Sequence, residues 1–388
     1  MPDAVIVAAA RTPIGRANKG SLVDVDAFEL AEVAVGAALE RSGIPAGDID
    51  DLVVAESLQG GGVIARNVAV RLGLDGVPGL ADNRHCAAGL SAVQIAAGSI
   101  MAGMDRVVVA GGTESLSSMP QSLKSVPASA RDHKPWMSES HPPTPEAPAF
   151  DMALTVGENT ARLVGITRAD ADGWALLSHH RAARAVAEGW FDREVVPVKR
   201  PDGSGTFAAD EHPRGDTTIE KLAALAPLHP ELPSPTVTAG NSAGLNDAAA
   251  ALVLTSGAYA AAHGLSPRAR VRAWASVGVA PERTGLAPTL VIPKALERAG
   301  LTLADVDLFE VNEAFCSVAV AAVRELGLDP EAVNVYGSGC GLGHPIAATG
   351  ARMVVSLLHE LERRDQRIAV AAMCAGGGMG SALVLERL

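Results

Sequence analysis

Two cysteines of the 388-residue sequence lie in contexts that suit covalent chemistry, and the first is Cys86. Polar residues 82–85 precede it and small residues follow it, so we expect its thiol at the N-terminus of a helix. The helix dipole there lowers the pKa of a thiol and favours the thiolate, which is the nucleophilic form. A small, buried packing cysteine is the alternative that this motif alone leaves open.

The second cysteine, Cys374, follows an apolar run and precedes three consecutive glycines, residues 376–378. Such a turn exposes backbone N–H groups that suit an oxyanion pocket, and the thiol would serve as an acid and a base. A strand cysteine before a hairpin turn is the alternative interpretation.

His344 lies between a glycine-rich run, residues 337–343, and Pro345, which is able to start a helix. An imidazole here would form an ion pair with a thiolate or donate to an oxyanion. A turn histidine bonded to the backbone is equally consistent with the pattern.

An internal repeat singles out Asn312. Residues 38–57 align without gaps with residues 295–314, and each copy predicts a helix ending at glycine, an Asp-rich turn and an apolar strand. Glu occurs in both copies, which favours a structural role for Glu313. Asn312 has an apolar counterpart, Ala55, which favours a function for the asparagine.

The repeat continues downstream and predicts two similar α/β halves. Helices after Cys86 and after Gly350 lead to apolar strands over 106–112 and 367–372. The apolar runs are continuous, as in strands that helices cover on both faces. Between the halves, from about 115 to 242, lies a Pro-rich insertion with helical stretches near 155–163 and 168–189.

Composition excludes several classes of function. A net charge of −12 argues against a general binder of nucleic acid or anionic membranes. Residues 368–385 are uncharged, but their central glycines favour two strands and a turn over a membrane span. No dinucleotide fingerprint and no serine-hydrolase elbow occurs in the sequence.

The remaining cysteines and histidines are given structural interpretations. Cys316 and Cys340 are expected to be packing residues, and no Cys/His set has zinc spacing, so no metal is expected. His179 and His180 are interpreted as part of a solvated helix face. The N-terminus resembles a buried strand and not a leader, which predicts a cytoplasmic protein with reduced thiols.

Taken together, the motifs resemble those of the thiolase family, the acetyl-CoA acyltransferases, over essentially the whole chain. Each motif is weak alone, but their order is specific to the family. They are residues 11–13 (RTP), 83–90 (NRHCAAGL), 111–115 (GGTES), 238–241 (TAGN) with 246–247 (ND), 312–315 (NEAF), 343–345 (GHP) and 374–380 (CAGGGMG).

The resemblance implies a five-layer αβαβα fold of two similar domains with an inserted loop domain. The N-terminal thiolase domain would comprise 1–114 and 247–265, and the C-terminal thiolase domain 266–388. The loop domain, 115–246, would bind coenzyme A and make contacts between subunits of a homodimer or homotetramer.

The resemblance also implies a two-step acyl transfer. Cys86 is the acyl-thioester nucleophile, His344 activates it, and Cys374 is the general acid and base. One oxyanion site would consist of His344 and a water held by Asn312, and the other of the backbone N–H groups of Cys86 and Gly376. The substrate would be a 3-oxoacyl-CoA with coenzyme A, used in fatty-acid β-oxidation or in the reverse condensation, without a permanently bound cofactor.

The resemblance places coenzyme A against Arg214, Lys221, Ser242, Ala243 and Phe315. Four sites depart from the family pattern. Ala243 replaces a usual Ser, Ala347 replaces a usual Gly, Leu228-His229 stands where an aromatic residue is expected, and Met152-Ala153 stands where short-chain biosynthetic members have His-Met. These departures lie around the acyl pocket, and they weaken the prediction that acetoacetyl-CoA is the specific substrate.

Two other classes of function remain open from the sequence. One is a decarboxylating, ketoacyl-synthase-like condensing enzyme, which does not need a second base such as Cys374. The other is a non-catalytic acyl-CoA binder of the same fold, although the intact Cys86, His344, Asn312 and Cys374 argue against it.

Overall fold

The structure is a computed structural model that describes residues 3–59, 61–127, 129 and 131–388. Its strands are β1 (Ala4–Arg11), β2 (Gly15–Arg16), β3 (Asp51–Ala55), β4 (Leu80–Asp82), β5 (Val107–Ser115), β6 (Leu123–Ser125), β7 (His133–Pro135), β8 (Val198–Lys199), β9 (Thr206–Phe207), β10 (Asn246–Ser256), β11 (Ala269–Gly278), β12 (Leu308–Val311), β13 (Ile368–Ala375) and β14 (Met379–Arg387).

The helices alternate with these strands along most of the chain. They are α1 (Ala27–Ser42), α2 (Ile64–Arg71), α3 (Ala88–Met101), α4 (Asn159–Val164), α5 (Arg168–Ala187), α6 (Ile219–Ala223), α7 (Gly257–Ala262), α8 (Ala287–Ala299), α9 (Cys316–Leu326) and α10 (Ile346–Arg364). Short 3₁₀ helices cover Ala46–Asp48, Pro281–Leu286 and Leu303–Asp305, and a π-helical segment, Ala153–Glu158, leads into α4.

The two halves of the chain build sheets of the same order. The first half has the order β4-β3-β5-β10-β1, and the second half has β12-β13-β14-β11. A parallel bridge between Phe309 and Val333 takes the position against β12 that β4 has against β3. Strands β1 and β11 pair over two residues, so that the two sheets join edge to edge.

The repeat seen in the sequence is confirmed as a repeat of local structure. Helix α1 ends at Gly43 with φ of 64°, and α8 ends at Gly300 with φ of 69°, a backbone conformation that favours glycine. In each copy a 3₁₀ turn follows, and then a buried strand, β3 or β12.

The elements stack in five layers, as the resemblance implied. Helices α3 and α10 pack against each other between the two sheets, and their apolar side chains share one core with both inner sheet faces. Helices α1 and α2 cover the outer face of the first sheet. Helices α8 and α9 cover the outer face of the second sheet.

The backbones of α3 and α10 approach each other closely at two glycines. A Cβ on Gly89 would lie 2.5 Å from the Ala347 carbonyl oxygen and 2.7 Å from the Ala351 nitrogen. A Cβ on Gly350 would collide with the Leu90 backbone nitrogen. The expectation that the second helix starts after Gly350 is wrong, because α10 begins at Ile346 and includes this glycine at the crossing.

The insertion contains the hairpins β6–β7 and β8–β9 and the helices α4, α5 and α6. The two helical stretches expected there are present. Residues 368–385 lie in β13, a glycine turn and β14, as the sequence predicted. In the part of the chain that the structure describes, no helix is long and apolar enough to cross a membrane.

The interpretation of His179 as part of a solvated face is wrong. His179 and Arg181 are both buried on α5. The ring of His179 stacks on that of His212 at 6.1 Å between centroids, and Arg181 donates to the Val333 carbonyl at 2.7 Å. The segment before α10 packs on this helix, a long-range contact that helical periodicity does not reveal. Cys316 and Cys340 are buried, as expected for packing residues.

We predict that Gly89→Ala destabilises the protein by about 1–3 kcal/mol, because the new methyl group forces α3 away from α10. Urea denaturation measures the change in the free energy of unfolding. Gly173→Ala is the matched control: Gly173 lies within α5, and no atom lies within 4 Å of its would-be Cβ. The control should be neutral or stabilising by up to about 1 kcal/mol. Equal effects in the two variants would contradict close helix packing as the cause.

Candidate active site

A cavity of about 330 Å³ brings together four of the residues that the sequence singled out. Cys86, His344, Cys374 and Gly376 all contribute to its wall. Cys86 belongs to the first half of the chain, and the other three belong to the second half. Each lies where a strand or a helix ends or begins, so the sheet order and the crossing of α3 with α10 position them.

Cys86 lies two residues before α3, whose N-cap residue is Ala87. Burial raises the pKa of its thiol to about 11, although the backbone N–H groups of Gly376 and Cys86 itself favour the thiolate. The expectation of a lowered thiol pKa is therefore wrong for the resting site. Loss of hydration outweighs the backbone dipoles, and the resting sulfur carries its proton.

His344 lies two residues before α10, and two hydrogen bonds position it. Its backbone N–H donates to Asn246 Oδ1 at 3.0 Å, and its Nδ1 lies 2.7 Å from Thr349 Oγ1. Burial, with a smaller effect of Arg352, lowers the pKa of His344 to about 3. The imidazole is therefore neutral at pH 7, and it is able to accept a proton from a neutral thiol.

Cys374 is buried near the end of β13, just before the glycine turn. Burial and the neighbouring Cys86 raise its pKa well above that of a free thiol. Gly377 and Gly378 have φ of 85° and 81°, so the turn requires residues that tolerate the left-handed region. This turn directs the N–H of Gly376 towards the sulfur of Cys86.

Asn312 follows β12 directly and is fully buried. Its Nδ2 lies 3.5 Å from both ring nitrogens of His344, which places the amide beside the imidazole. The next residue, Glu313, accepts hydrogen bonds from Trp174 Nε1 at 2.7 Å, Ser178 Oγ at 2.5 Å and Asn334 Nδ2 at 2.7 Å. These contacts agree with the structural role expected of Glu313, and they fix the backbone that carries Asn312.

The residues expected to bind coenzyme A separate into two groups. Phe315 and Ala243 lie on the cavity wall, and the N–H of Ala243 donates to the Ala314 carbonyl at 3.0 Å. Ser242, next to the wall, donates from Oγ to the Thr238 carbonyl at 2.7 Å. Arg214 and Lys221 are exposed and lie outside the wall.

The two basic residues differ in their surroundings. Lys221 Nζ lies 2.8 Å from the carboxylate of Asp216, so its charge is compensated locally. Arg214 lies two residues after His212, whose ring fills the space that a Cβ on Gly244 would need. Because Gly244 lines the cavity, the segment that carries Arg214 packs against the cavity wall.

The family departures have unequal consequences for the cavity. Met152 and Ala243 line it, so these two positions shape the space available to a ligand. Ala347 is fully buried against β5, where its carbonyl fills the space beside Gly112, and the described cavity wall does not include it. The concern that its methyl group narrows the pocket is therefore not supported.

Three supporting residues were missed as functional candidates from the sequence. Thr349 and Asn246 position His344 through the hydrogen bonds given above. Glu114, fully buried at the end of β5, accepts hydrogen bonds from the N–H groups of Leu58 and Ala347 at 3.0 and 3.1 Å. Thr349 lies five residues after His344, which precedes α10, so the spacing of the two residues gave no helical signal of their contact.

Comparisons with known proteins agree with this fold and this site. The model of the thiolase N-terminal domain matches residues 4–258, and that of the thiolase C-terminal domain matches residues 265–387. A 3-ketoacyl-CoA thiolase of Bacillus subtilis is 41% identical over 403 residues, covering 100% of both chains.

Solved structures give the same result. The crystal structure of the Bacillus anthracis acetyl-CoA acetyltransferase superposes with a TM-score of 0.92 at 40% identity, covering 100% of this chain and 99% of that one. The human mitochondrial 3-ketoacyl-CoA thiolase in complex with CoA superposes with a TM-score of 0.91 at 34% identity, covering 100% and 98%. The two-domain α/β fold and its cysteine–histidine site define an acyltransferase. The chain belongs to the thiolase family.

We predict that acylation of Cys86 by acetyl-CoA is independent of pH between about pH 6 and about pH 9. The thiol pKa of about 11 and the imidazole pKa of about 3 lie outside this range, so one protonation state of the pair persists across it. Rapid-quench measurement of acyl-enzyme formation tests this. In His344→Ala the rate should be far lower and should rise about tenfold per pH unit, because only the thiolate fraction reacts. The same steep rise in the wild type would contradict a neutral pair.

We predict that Thr349→Val lowers the acylation rate about tenfold, because His344 loses the hydrogen bond that fixes its ring orientation. Thr349→Ser retains a hydroxyl and is the matched control, which should remain near the wild-type rate. Acyl-enzyme formation measured at one pH compares the two. Equal rates in Val and Ser variants would argue against positioning by the hydroxyl.

Proposed function

We propose that this thiolase transfers acyl groups through a thioester on Cys86. In the degradative direction Cys86 attacks the keto carbon of a 3-oxoacyl-CoA, His344 accepts the thiol proton, and the bond between C2 and C3 breaks. Acetyl-CoA leaves as its enolate, which takes a proton from Cys374. Coenzyme A then gives its thiol proton to Cys374, and its sulfur takes the acyl group from Cys86.

The reverse sequence of steps is a Claisen condensation. An acyl-CoA first acylates Cys86, and the departing coenzyme A takes the thiol proton of Cys374. The Cys374 thiolate then removes a proton from C2 of acetyl-CoA, and the resulting carbanion attacks the acyl group on Cys86, whose sulfur takes back its proton from His344. One relative is named a 3-ketoacyl-CoA thiolase, after the cleavage reaction, and another an acetyl-CoA acetyltransferase, after acetyl transfer between two acetyl-CoA molecules. The observation that carries the proposal is the convergence of Cys86, His344 and Cys374 on one cavity wall.

Two sets of donors would stabilise the negative charge that develops on oxygen. His344 and a water held by Asn312 serve one oxyanion, and the amide of Asn312 lies 3.5 Å from the imidazole. The N–H groups of Cys86 and Gly376 serve the other, since both favour negative charge at the Cys86 sulfur, to which the thioester would be attached. Removal of one such donor costs on the order of 100- to 1000-fold in rate.

Coenzyme A would enter along the loop domain, residues 115–246. Phe315, Ala243 and Ser242 would contact its pantetheine arm, and Arg214 and Lys221 would lie towards its phosphates. Arg214 is the stronger candidate of the two, because Asp216 compensates the charge of Lys221. The domain limits 1–114 with 247–265 and 266–388, a cytoplasmic location and a homodimer or homotetramer belong to the same proposal.

The first test is thiolysis of 3-oxoacyl-CoA substrates of increasing chain length, from acetoacetyl-CoA upward, with free coenzyme A. We expect cleavage by the wild type and none by Cys86→Ala. Intact-protein mass spectrometry after exposure to acetyl-CoA should show one added acetyl group on the wild type only. Covalent acylation of Cys86→Ala would exclude Cys86 as the nucleophile.

The second test separates the roles of the two cysteines. Cys374→Ser should still form the acyl-enzyme, but thiolysis should fall by about 100- to 10,000-fold because the acid and base is lost. Exchange of the C2 protons of acetyl-CoA with deuterated solvent, followed by NMR, should be abolished. Retained exchange would exclude Cys374 as the base, whereas a wild type without any exchange would favour a decarboxylating condensing enzyme.

A further inference from the structure

His85 is a titratable residue on the cavity wall that the proposed mechanism does not use. It precedes Cys86 directly, and it lines the same cavity as both reactive cysteines. Its side chain therefore lies within reach of whatever is attached to the Cys86 sulfur.

The backbone of His85 is held in an unusual conformation. Its φ is 47°, in the left-handed region that residues with a side chain seldom adopt. The N–H of His85 donates to Asn83 Oδ1 at 2.8 Å, which stabilises this turn before the nucleophile. Strain of this kind concentrates where a side chain must point in one direction for function.

The imidazole of His85 lies beside the glycine that faces the nucleophile. Its Cγ and Cδ2 lie 3.8 and 3.9 Å from the point that a Cβ on Gly376 would occupy, and Met152 Sδ lies 3.9 Å from the same point. The N–H of Gly376 is directed at the Cys86 sulfur. The ring therefore borders the space for the first carbons of an acyl group on Cys86.

Within the described part of the chain, neither ring nitrogen of His85 has a hydrogen-bond partner. The other histidines on or near this wall differ, since His344 contacts Thr349 and His141 contacts both Ser140 and the Ala147 carbonyl. Burial lowers the pKa of His85, so its ring is neutral at pH 7. A neutral imidazole offers one donor and one acceptor.

The wall around this imidazole is uncharged, and its polar side chains besides the histidines and cysteines are the hydroxyls of Ser57, Ser138, Ser140 and Thr284. The wall contains no Asp, Glu, Lys or Arg among the residues that the structure describes. The apolar members of the wall include Leu58, Leu116, Met137, Phe150 and Val156. A carboxylate on the acyl chain would lose its hydration here without gaining a cation, which is costly. For an uncharged polar atom, one hydrogen bond would be enough to offset the lost hydration.

We propose that His85 determines acyl specificity, and that the site takes 3-oxoacyl-CoA substrates whose acyl group bears an uncharged hydroxyl or carbonyl oxygen close to the reacting carbon. This inference rests on the proposed acyl transfer to Cys86. The imidazole supplies one hydrogen bond to that oxygen in an uncharged pocket, while the remainder of the chain packs against the apolar members of the wall.

The test compares three six-carbon substrates in thiolysis: 3-oxohexanoyl-CoA, 5-hydroxy-3-oxohexanoyl-CoA and 3-oxoadipyl-CoA. We expect the wild type to prefer the hydroxylated substrate over the alkyl one in kcat/KM by about 5- to 10-fold, the size of one neutral hydrogen bond. The carboxylated substrate should be the poorest. The preference is a ratio of two kcat/KM values measured with one protein. A partial loss of folded enzyme lowers both values equally and leaves the ratio unchanged.

His85→Leu should reduce that preference to about one, because leucine fills the space without a polar atom, and His85→Gln should restore part of it. His263→Leu is the matched control. His263 is exposed on the segment after α7, its Nδ1 lies 2.9 Å from the Tyr259 carbonyl, and the cavity wall does not include it. This control should keep the wild-type preference.

The outcomes separate this inference from the proposed function. Cleavage of 3-oxohexanoyl-CoA without a preference for the hydroxylated substrate, or a preference unchanged in His85→Leu, would overturn the role of His85 and leave the thiolase reaction intact. Failure of the wild type to cleave any of the three would count against the proposed function, and the inference would fall with it.

Discussion

The close approach of α3 and α10 is the constraint on which the site depends. The contact of Gly89 with the backbone of Ala347 and Ala351 leaves no room for a side chain. Cys86 lies three residues before Gly89, and His344 lies three residues before Ala347. One backbone contact between two helices therefore sets the separation of Cys86 from His344. A helix crossing built on larger residues would move the N-termini of both helices apart, and the thiol and the imidazole would no longer share one cavity.

The two halves of the molecule contribute different chemistry from equivalent places. In the first half the strand–helix junction carries Cys86, and in the second half the corresponding junction carries His344. The second half adds Asn312 after β12 and Cys374 with its glycine turn after β13. Strands β3 and β12 have equivalent positions in their sheets, so Asn312 after β12 corresponds to Ala55 of β3. The residue is polar in one copy and apolar in the other. The duplicated fold therefore provides the framework, and the departures from its internal symmetry provide the reacting groups.

The electrostatics of the cavity favour neutral partners at rest. Burial raises the pKa of Cys86 and Cys374 and lowers the pKa of His344, so all three groups are neutral at pH 7. A charge then develops only as a reacting group approaches, where the N–H of Gly376 and the amide of Asn312 are already oriented. Donors fixed before the reaction need no reorganisation, which is the physical basis of oxyanion stabilisation.

The sequence by itself determined the class of fold, the repeat and the candidate reactive residues. Helix ends at Gly43 and Gly300, buried strands and the order of short motifs are local features, and local periodicity and residue type are sufficient to predict them. Tertiary structure decided what depends on burial and on contacts between distant segments. The helix dipole at Cys86 predicted a lowered thiol pKa, but the cavity that holds the sulfur is built from both halves of the chain and from the insertion between them. His179 had the spacing of an exposed face, yet the segment before α10 covers it. The contact of Thr349 with His344 and the separation of Arg214 from the cavity wall also required the folded chain, because dielectric surroundings and side-chain partners are properties of the packed molecule.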